Sequence, residues 1–539
     1  MGDCRPEYAR LCRLIIDSLQ SYNKPQSLSP LTDERERHLL IILTKVSREI
    51  QGWDDVFDGE HSMGKEKSCH DCLNNIVLIL VIFLGDESKY IRHSSSNVFV
   101  AISDYLLKSG SNWDGFLQLL CISLKVSATN ILTSSSISSK TQTVGSDSDT
   151  ISFILSVQQR LMTHANWFTV IGLVRVLRTI LKHVRDENGD GDDLAEKYID
   201  SIGICLGSIP WGLMSGQTMN SSMDVFHHGE FASQDTRFVF LGALLQLLCS
   251  LIGESSFAEA EDSTINKHPI FDTIITFVPE LLYCCFHKED GYDEVHSSQY
   301  LRHKMLVLMT RLSSQNHLES SILVLWLQLV RKYFEDLINQ PISRHHANLS
   351  DCLEGSPFLA CVSDGEFHSI CTRHLQRQAI FIFLKLSLSL FSAGKDIDLR
   401  CSYATSSSSL TIDSQSALKC CTRKKGLSEL SAWLERHLPM ETLADFEMYL
   451  EKCANFASSF LQLFLEEDDF LFEVLLLLSK FPFFVQQMEF KSYRQAFEEA
   501  KENIMLHLSN ILDPIHLFHI FLAEVSLITS PPWIRFILL

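Results

Sequence analysis

The stretch Asn166–Arg185, NWFTVIGLVRVLRTILKHVR, decides the fold class of this chain. Its apolar residues return at steps of three and four positions, at Trp167, Ile171, Val174, Leu177, Leu181 and Val184. Its basic residues form a second series, at Arg175, Arg178, Lys182 and Arg185. Since an α-helix completes a turn in about 3.6 residues, the two series fall on opposite faces. The stretch is therefore predicted to be an amphipathic helix that buries one side.

Similar patterns recur along the whole chain and predict an all-α protein. The other predicted helices cover residues 5–21, 33–52, 70–84, 88–108, 113–126, 150–163, 235–252, 270–287, 298–313, 318–337, 365–391, 428–437, 441–465, 469–489 and 495–511. Gly (23) and Pro (13) are scarce among the 539 residues, which argues against strands and tight turns. Because short connections join consecutive helices, we expect an irregular α-solenoid of armadillo/HEAT-like helical pairs. No clear repeat of about 40–47 residues is visible, so the stacking is expected to be irregular.

Changes in composition divide the chain into four parts. Ser, Thr and acidic residues interrupt the helical pattern near 127–150 and 252–268, where mobile loops are predicted. A longer Ser-rich interruption places the main boundary near residue 400. The predicted parts are a helical region over 1–392, a linker over 393–425, a second helical region over 426–525 and an atypical tail over 526–539.

Charge, hydropathy and cysteine usage narrow the classes of partner. The formal net charge of −20 repels phosphate backbones, so we expect no direct binding of nucleic acid. The apolar run at 76–84 is shorter than the roughly 20 residues that a membrane span requires, and no membrane association is expected. The 16 cysteines are scattered, and those in apolar segments indicate free thiols in a reducing, intracellular setting. Examples of such cysteines are Cys121, Cys205, Cys249 and Cys453.

Four segments carry metal-ligand residues, but none has a complete pattern; in one of them Cys361, His368, Cys371 and His374 fall within fourteen residues at a spacing that matches no zinc pattern. DENGDGDDLAEK at 186–197 begins like a calcium loop, yet Lys197 occupies the position of the bidentate Glu. The CxxC at 69–72 lacks the second pair that zinc sites usually need. His516 and His519 have no nearby carboxylate or Cys, so we expect them to form hydrogen bonds at a helix–helix seam. The sequence therefore predicts neither a metal nor a cofactor.

Catalytic motifs are missing from the sequence. The chain has no GxSxG elbow, no Gly-rich phosphate loop and no HExxH motif, and it is predicted not to be an enzyme. The alternative is an enzyme whose site is assembled from dispersed residues. Its best candidates are His368, Cys371 and His374, which share one face of a predicted helix.

Leu-rich segments bear on partner binding. LGALLQLL at 241–248 contains LxxLL patterns, which can dock into grooves, but its apolar neighbours favour a core helix. Leu476, within the apolar run at 470–485, is likewise expected in the core. The acidic corner EEDD at 466–469 has two interpretations: charges that complement the dipole of a helix starting at Phe470, or a docking patch. We favour the first.

The C-terminal part resembles the Lines family, large helical proteins first known from segment-polarity patterning. The resemblance lies in LSELSAWLERHLP (427–439), YLEKCANFASSFLQLFLEEDDFLFEVLLLLSKFPF (449–483), LHLSNILDPIHLFHIFLAE (506–524) and RHLQRQAIFIFLKLSLSLF (373–391). It implies an armadillo-like protein without known enzymatic activity, and it carries over no catalytic residues. The overall pattern is closer to plant members of the family than to animal ones. Animal members are implicated in Wnt-linked signalling and transcriptional control. SLITSPPWIRFILL (526–539) replaces the charged continuation of the family, which we interpret as an alternative or truncated end.

Taken together, these features favour a non-enzymatic scaffold or adaptor that binds other proteins in the nucleus, the cytoplasm or both. A karyopherin-like carrier is an alternative, because an acidic solenoid attracts basic cargo. The dispersed-site enzyme is the third hypothesis.

Overall fold

A computed structural model describes much of the chain. It covers residues 10–19, 22, 33–53, 66–109, 113–134, 166–187, 192–216, 230–252, 269–286, 295–314, 318–342, 367–392, 414–438, 446–465, 467–486, 515 and 517–519. Over these ranges the secondary structure is helical and includes no strand, which confirms the all-α prediction.

The chain divides into two compact units, Met1–Lys304 and Met305–Leu539. The helices of the first unit are α1 (10–19, with a π-helical turn at Arg13–Asp17), α2 (Asp33–Gln51), α3 (Glu66–Leu84), α4 (Lys89–Lys108), α5 (Trp113–Ser134), α6 (Trp167–Glu187), α7 (Asp192–Gly207), α8 (Leu213–Gly216), α9 (Glu230–Leu251) and α10 (Pro269–Phe286). Helix α11 (Val295–Ser314) crosses the division between the units. The second unit continues with α12 (Ser320–Asn339), α13 (Phe367–Ser392), α14 (Ser414–His437), α15 (Phe446–Phe464) and α16 (Asp468–Gln486). The boundary predicted near residue 400 falls inside this second unit.

Helix α6, the stretch that opened the sequence analysis, lies at the centre of the first unit. It packs against α3, α4, α5, α7 and α9. Its predicted apolar face is buried from Ile171 onward and half-buried at Trp167, whereas Arg175 and Lys182 are exposed. Gly172 permits close packing against α3, because a Cβ at this position would lie 3.0 Å from the side chain of Leu84. The amphipathic pattern therefore placed the core side of this helix correctly.

Helix α13 has the corresponding position in the second unit, where it packs against α12, α14, α15 and α16. Every side chain over 375–386 is buried, and this run includes polar and charged residues. The buried polar and charged members are Gln376, Arg377, Gln378 and Lys385. A helix enclosed on all sides has no solvated face for these groups, so each needs a partner inside the protein.

Two helices extend into segments that were predicted to be irregular. Helix α5 runs to Ser134, into the Ser/Thr-rich stretch, and Thr133 Oγ1 donates to the carbonyl of Thr129 at 2.7 Å. Such back-bonding satisfies the hydroxyl group within a helix. Helix α14 starts at Ser414, inside the predicted linker. Residues 135–150, 253–268, 393–413 and 526–539 lie outside the described part of the chain, and so do the helices predicted at 150–163 and 495–511.

Among the described residues, the cysteines follow the sequence prediction with one exception. Cys121, Cys205, Cys249 and Cys453 are buried and not disulfide-bonded, as expected. Cys12 of α1 and Cys72 of α3 form a disulfide, so the expectation of free thiols is wrong for this pair. Their Cα atoms are 6.1 Å apart, a separation that a disulfide bridges without backbone movement.

Two helical segments, Trp113–Thr133 and Pro269–Phe286, are long and apolar enough to span a membrane by length and composition alone. Within their most apolar windows, 56% and 44% of the residues are buried in the protein. Core helices of soluble proteins meet the same criteria, so this is weak evidence for a span. The absence of membrane association stays a prediction.

Candidate functional site

Basic side chains of α13 contact the C-terminal end of α15. Nη2 of Arg373 donates to the carbonyl of Gln462 at 2.7 Å, and Nε of Arg377 donates to the carbonyl of Leu463. Both carbonyls lie in the last turn of α15, where backbone acceptors have no partner within their own helix. A cation at this end also interacts favourably with the helix dipole. The two arginines therefore fix the end of α15 against α13.

Glu467 joins this cluster from the connection between α15 and α16. Its Oε1 lies 3.1 Å from Nδ1 of His374 and 3.2 Å from Nη1 of Arg377. Burial by itself raises the pKa of Glu467, but the hydrogen bond and charge of His374, together with Arg377, outweigh burial and lower the pKa. Glu467 is therefore held as a carboxylate, which compensates the charge of the buried Arg377.

Lys385 forms a second polar cluster two turns further along α13. Its Nζ donates to Oγ of Ser314 at 2.8 Å and forms an ion pair with Glu473 of α16. Burial lowers the pKa of Lys385, and the contact with Glu473 opposes this shift. A serine beside a lysine of lowered pKa resembles a Ser–Lys nucleophile pair. Here, however, the contact with Glu473 favours the ammonium form, so Lys385 donates a hydrogen bond to Ser314 and does not accept its proton.

A third cluster closes the C-terminal end of α12. Nε1 of Trp433 donates to the carbonyl of Ile338 at 3.0 Å, and Nε2 of His437 lies 3.3 Å from the same oxygen. Burial lowers the pKa of His437, the bond to Ile338 opposes this shift, and the charge of Arg436 adds to it. His437 is therefore favoured in its neutral form, with the Nε2 proton directed at the carbonyl.

Of the three residues predicted as a dispersed enzyme site, the structure describes the side chain of His374 alone. His374 is engaged with Glu467, whereas the side chains of His368 and Cys371 lie outside the described residues. The sequence analysis did not identify the roles of Arg377 and Lys385. A signal was present, because both are charged residues within an otherwise apolar helix, and a charged residue is rarely buried unless it is paired. In chemical terms, the basic side chains of these clusters bind backbone carbonyls at helix ends and carboxylates of the same chain.

The first unit contains a small, partly open apolar pocket. Its lining comprises Leu206, Trp211, Met214, Leu244, Leu248, Phe277, Glu280, Leu281 and Cys284. Burial raises the pKa of the Cys284 thiol, although the charge and hydrogen bond of Arg237 oppose this shift. A protonated thiol is a poor nucleophile, so Cys284 does not have the character of a catalytic cysteine.

The LxxLL segment is part of the core, as the sequence predicted. Leu241, Leu244, Leu245 and Leu248 are each no more than 2% exposed. A side chain in the core is not available to dock into a partner's groove. The interpretation of this segment as a core helix is confirmed.

The outer face of α16 contradicts the expectation for Leu476. Leu471, Val474 and Leu478 form the buried face, but Phe472 is 44% exposed and Leu476 is 55% exposed. The uninterrupted run of five apolar residues at 474–478 covers more than one helical face, so its pattern alone does not indicate which members face the core. Asp469, one turn before Phe472, is also exposed. We call Asp469, Phe472 and Leu476 the α16 stripe.

Metal chemistry finds no support in the described ranges, where no group of three or more His, Cys, Asp or Glu residues is arranged to hold an ion. His519 is exposed and does not lie at a buried seam, and His516 is outside these ranges. Part of the calcium-like loop, 188–191, is also outside them.

In comparisons with known proteins, no family model and no curated sequence matches this chain.

Proposed function

We propose that this chain is a non-enzymatic helical-repeat scaffold or adaptor that mediates protein–protein interactions. The finer fold that we propose is an irregular α-solenoid of the armadillo/HEAT type. Its support is the packing order, because most helix contacts join elements close in sequence, such as α2 with α4 and α13 with α14. The resemblance to Lines proteins further suggests a role in developmental signalling and transcriptional regulation, in the nucleus, the cytoplasm or both.

The observation that carries the scaffold proposal is the α16 stripe. Phe472 and Leu476 lie one turn apart on the face opposite the buried side of their helix. The inner side is fixed by the Lys385–Glu473 ion pair and by stacking of Phe381 on Phe470, with ring centroids 4.5 Å apart. Aromatic and aliphatic side chains presented on a rigid helix are typical anchors of protein interfaces.

The test is quantitative affinity purification of the full-length protein from native cells. We expect Leu476→Arg to lose a near-stoichiometric partner, because a cation within an apolar contact is costly to desolvate. Ile41→Arg is the matched control, since Ile41 is also a large exposed apolar residue, 66% exposed, but on α2 in the first unit. Equal recovery of every partner by both variants would contradict the stripe as the binding surface.

The net charge of −20 favours a second candidate, a karyopherin-like carrier of basic cargo. Binding of a basic peptide to a carrier of this kind weakens steeply with salt, because exposed charges are screened within about 8 Å at physiological ionic strength. Binding through the α16 stripe depends on salt much less. A salt titration of binding by fluorescence anisotropy therefore separates the two candidates.

A further inference from the structure

The N-terminal helix α1 is held by three kinds of contact. Leu11, Ile15 and Leu19 are fully buried. The guanidinium of Arg10 lies 4.0 Å from the ring centroid of Trp53, at the end of α2. The disulfide between Cys12 and Cys72 joins α1 to α3 across 60 residues of sequence.

The described part of α1, residues 10–19, depends on these contacts. An isolated helical segment of fewer than about 12–15 residues is marginal in water, so tertiary contacts must stabilise it. A π-helical turn at Arg13–Asp17, directly after Cys12, makes its backbone hydrogen bonding less regular. The helix therefore keeps its place only while the side-chain contacts and the disulfide hold it.

The two sulfur atoms differ in access. Cys72 is 8% exposed, whereas Cys12 is half-buried and lies next to the exposed Arg13. A thiolate that approaches from solvent therefore reaches Cys12 more easily than Cys72. The free cysteines of the same unit that are buried, such as Cys121 and Cys205, have no comparable access.

We propose that the Cys12–Cys72 disulfide is a reversible redox latch that controls whether α1 stays docked. Disulfides that occur in reducing compartments are usually transient or redox-sensing. The setting inferred from the other cysteines is of this kind. This inference is independent of the scaffold proposal, because it concerns the state of α1 and not the partner bound at α16.

The reductant in this proposal is a small thiol of the glutathione class. Its thiolate attacks Sγ of Cys12, the S–S bond breaks, and Sγ of Cys72 leaves as a thiolate that takes up a proton. The thiolate of a second glutathione then attacks the glutathione sulfur of the mixed disulfide, the bond to Cys12 breaks, Cys12 leaves as a thiolate that takes up a proton, and the two glutathione molecules are released as glutathione disulfide. In total, two electrons and two protons pass to the cysteine pair, and glutathione disulfide drives the reverse reaction.

The experiment equilibrates the full-length protein in reduced or oxidised glutathione and applies non-reducing peptide mapping and hydrogen exchange to each sample. We expect the Cys12–Cys72 crosslinked peptide in the oxidised sample only. Reduction should speed amide exchange over 10–19 by at least tenfold, and exchange in α4 should not change. Absence of the crosslink under oxidised glutathione, or equal exchange over 10–19 in both samples, would overturn the latch.

Variants separate the latch from a general redox effect. Cys12→Ser should exchange over 10–19 at the rate of the reduced wild type in both buffers. Cys284→Ser is the control, since Cys284 is a free and partly accessible thiol of the same unit, and this variant should keep the redox response. Unchanged exchange in α9 shows that each variant is folded. A redox response that persists in folded Cys12→Ser would refute the proposal.

Discussion

Replacement of Arg377 tests whether the polar clusters of α13 stabilise the second unit. The Arg377 side chain is 2% exposed, caps the carbonyl of Leu463 and lies 3.2 Å from Glu467. Arg377→Met removes the donor to that carbonyl and one of the two described partners of Glu467, the other being His374. Removal of one partner from a buried ion pair costs about 3–5 kcal/mol. At 1.4 kcal/mol for each factor of ten, this cost increases the opening equilibrium roughly a hundredfold or more.

Hydrogen exchange of the α15 amides is the suitable assay, because a chain of two units need not unfold in one step. We expect exchange over 446–464 to accelerate about a hundredfold in Arg377→Met, with α6 in the first unit unchanged. The double variant Arg377→Met with Glu467→Gln should recover part of the loss, since it also removes the unpaired carboxylate.

Two results would refute the reasoning about Arg377. An acceleration of less than tenfold in the single variant would mean that the ion pair and the cap contribute little. A double variant less stable than the single one would mean that Glu467 stabilises the unit through another partner.

Three further perturbations test other parts of the structure. Leu476→Ala should change the free energy of unfolding by less than about 0.5 kcal/mol, whereas Leu478→Ala, at a position 2% exposed, should cost about 2–5 kcal/mol. Denaturant-dependent hydrogen exchange measures both values, and a similar cost for the two variants would show that the outer face of α16 is covered. Because the pKa of His437 is lowered in the folded state, its contribution to stability is complete above the ordinary value of 6.5 and is lost as the pH falls below it. Exchange of α14 measured against pH should show this loss, and His437→Gln should reduce it; an identical pH profile for the variant would assign the effect to other groups. Gly242→Ala places a methyl group 2.7 Å from the ring of Tyr300 and should cost about 1–3 kcal/mol. Thermal unfolding monitored by circular dichroism tests this value, and an unchanged transition would mean that the Tyr300 ring moves away freely.

Most helix boundaries could be predicted from the sequence, and the differences between the predicted and observed boundaries have local causes. The sequence predicts the C-terminal end of α5 too early, at 126 instead of 134, and the start of α14 too late, at 428 instead of 414, because clusters of Ser and Thr are typical of loops. In α5 the Thr133 hydroxyl instead bonds the carbonyl of Thr129 four residues earlier. Leu476 was misplaced for a related reason: in a run of leucines, every helical face has the same hydrophobicity.

The partners within the polar clusters, in contrast, could not be predicted from the sequence. His374 was singled out for its nearby Cys and His residues, but its partner is Glu467, 93 positions later. The lysine at 385 reaches Ser314 and Glu473, which are 71 and 88 positions away. No spacing within one helix encodes pairs of this kind, because they depend on which helix ends the packing brings together.

By itself, the sequence determined that this protein is all-α and which face of α6 is buried, because a period of about 3.6 residues is a local property of the chain. Only the tertiary structure decided what the other residues do. The basic face of α6 illustrates this, since Arg178 donates to Gln246 at 2.8 Å and Arg185 donates to the carbonyl of Ser250 at 2.6 Å, at the end of α9. The periodicity set the direction of these side chains, and the position of a helix 65 or more residues later supplied their hydrogen-bond acceptors.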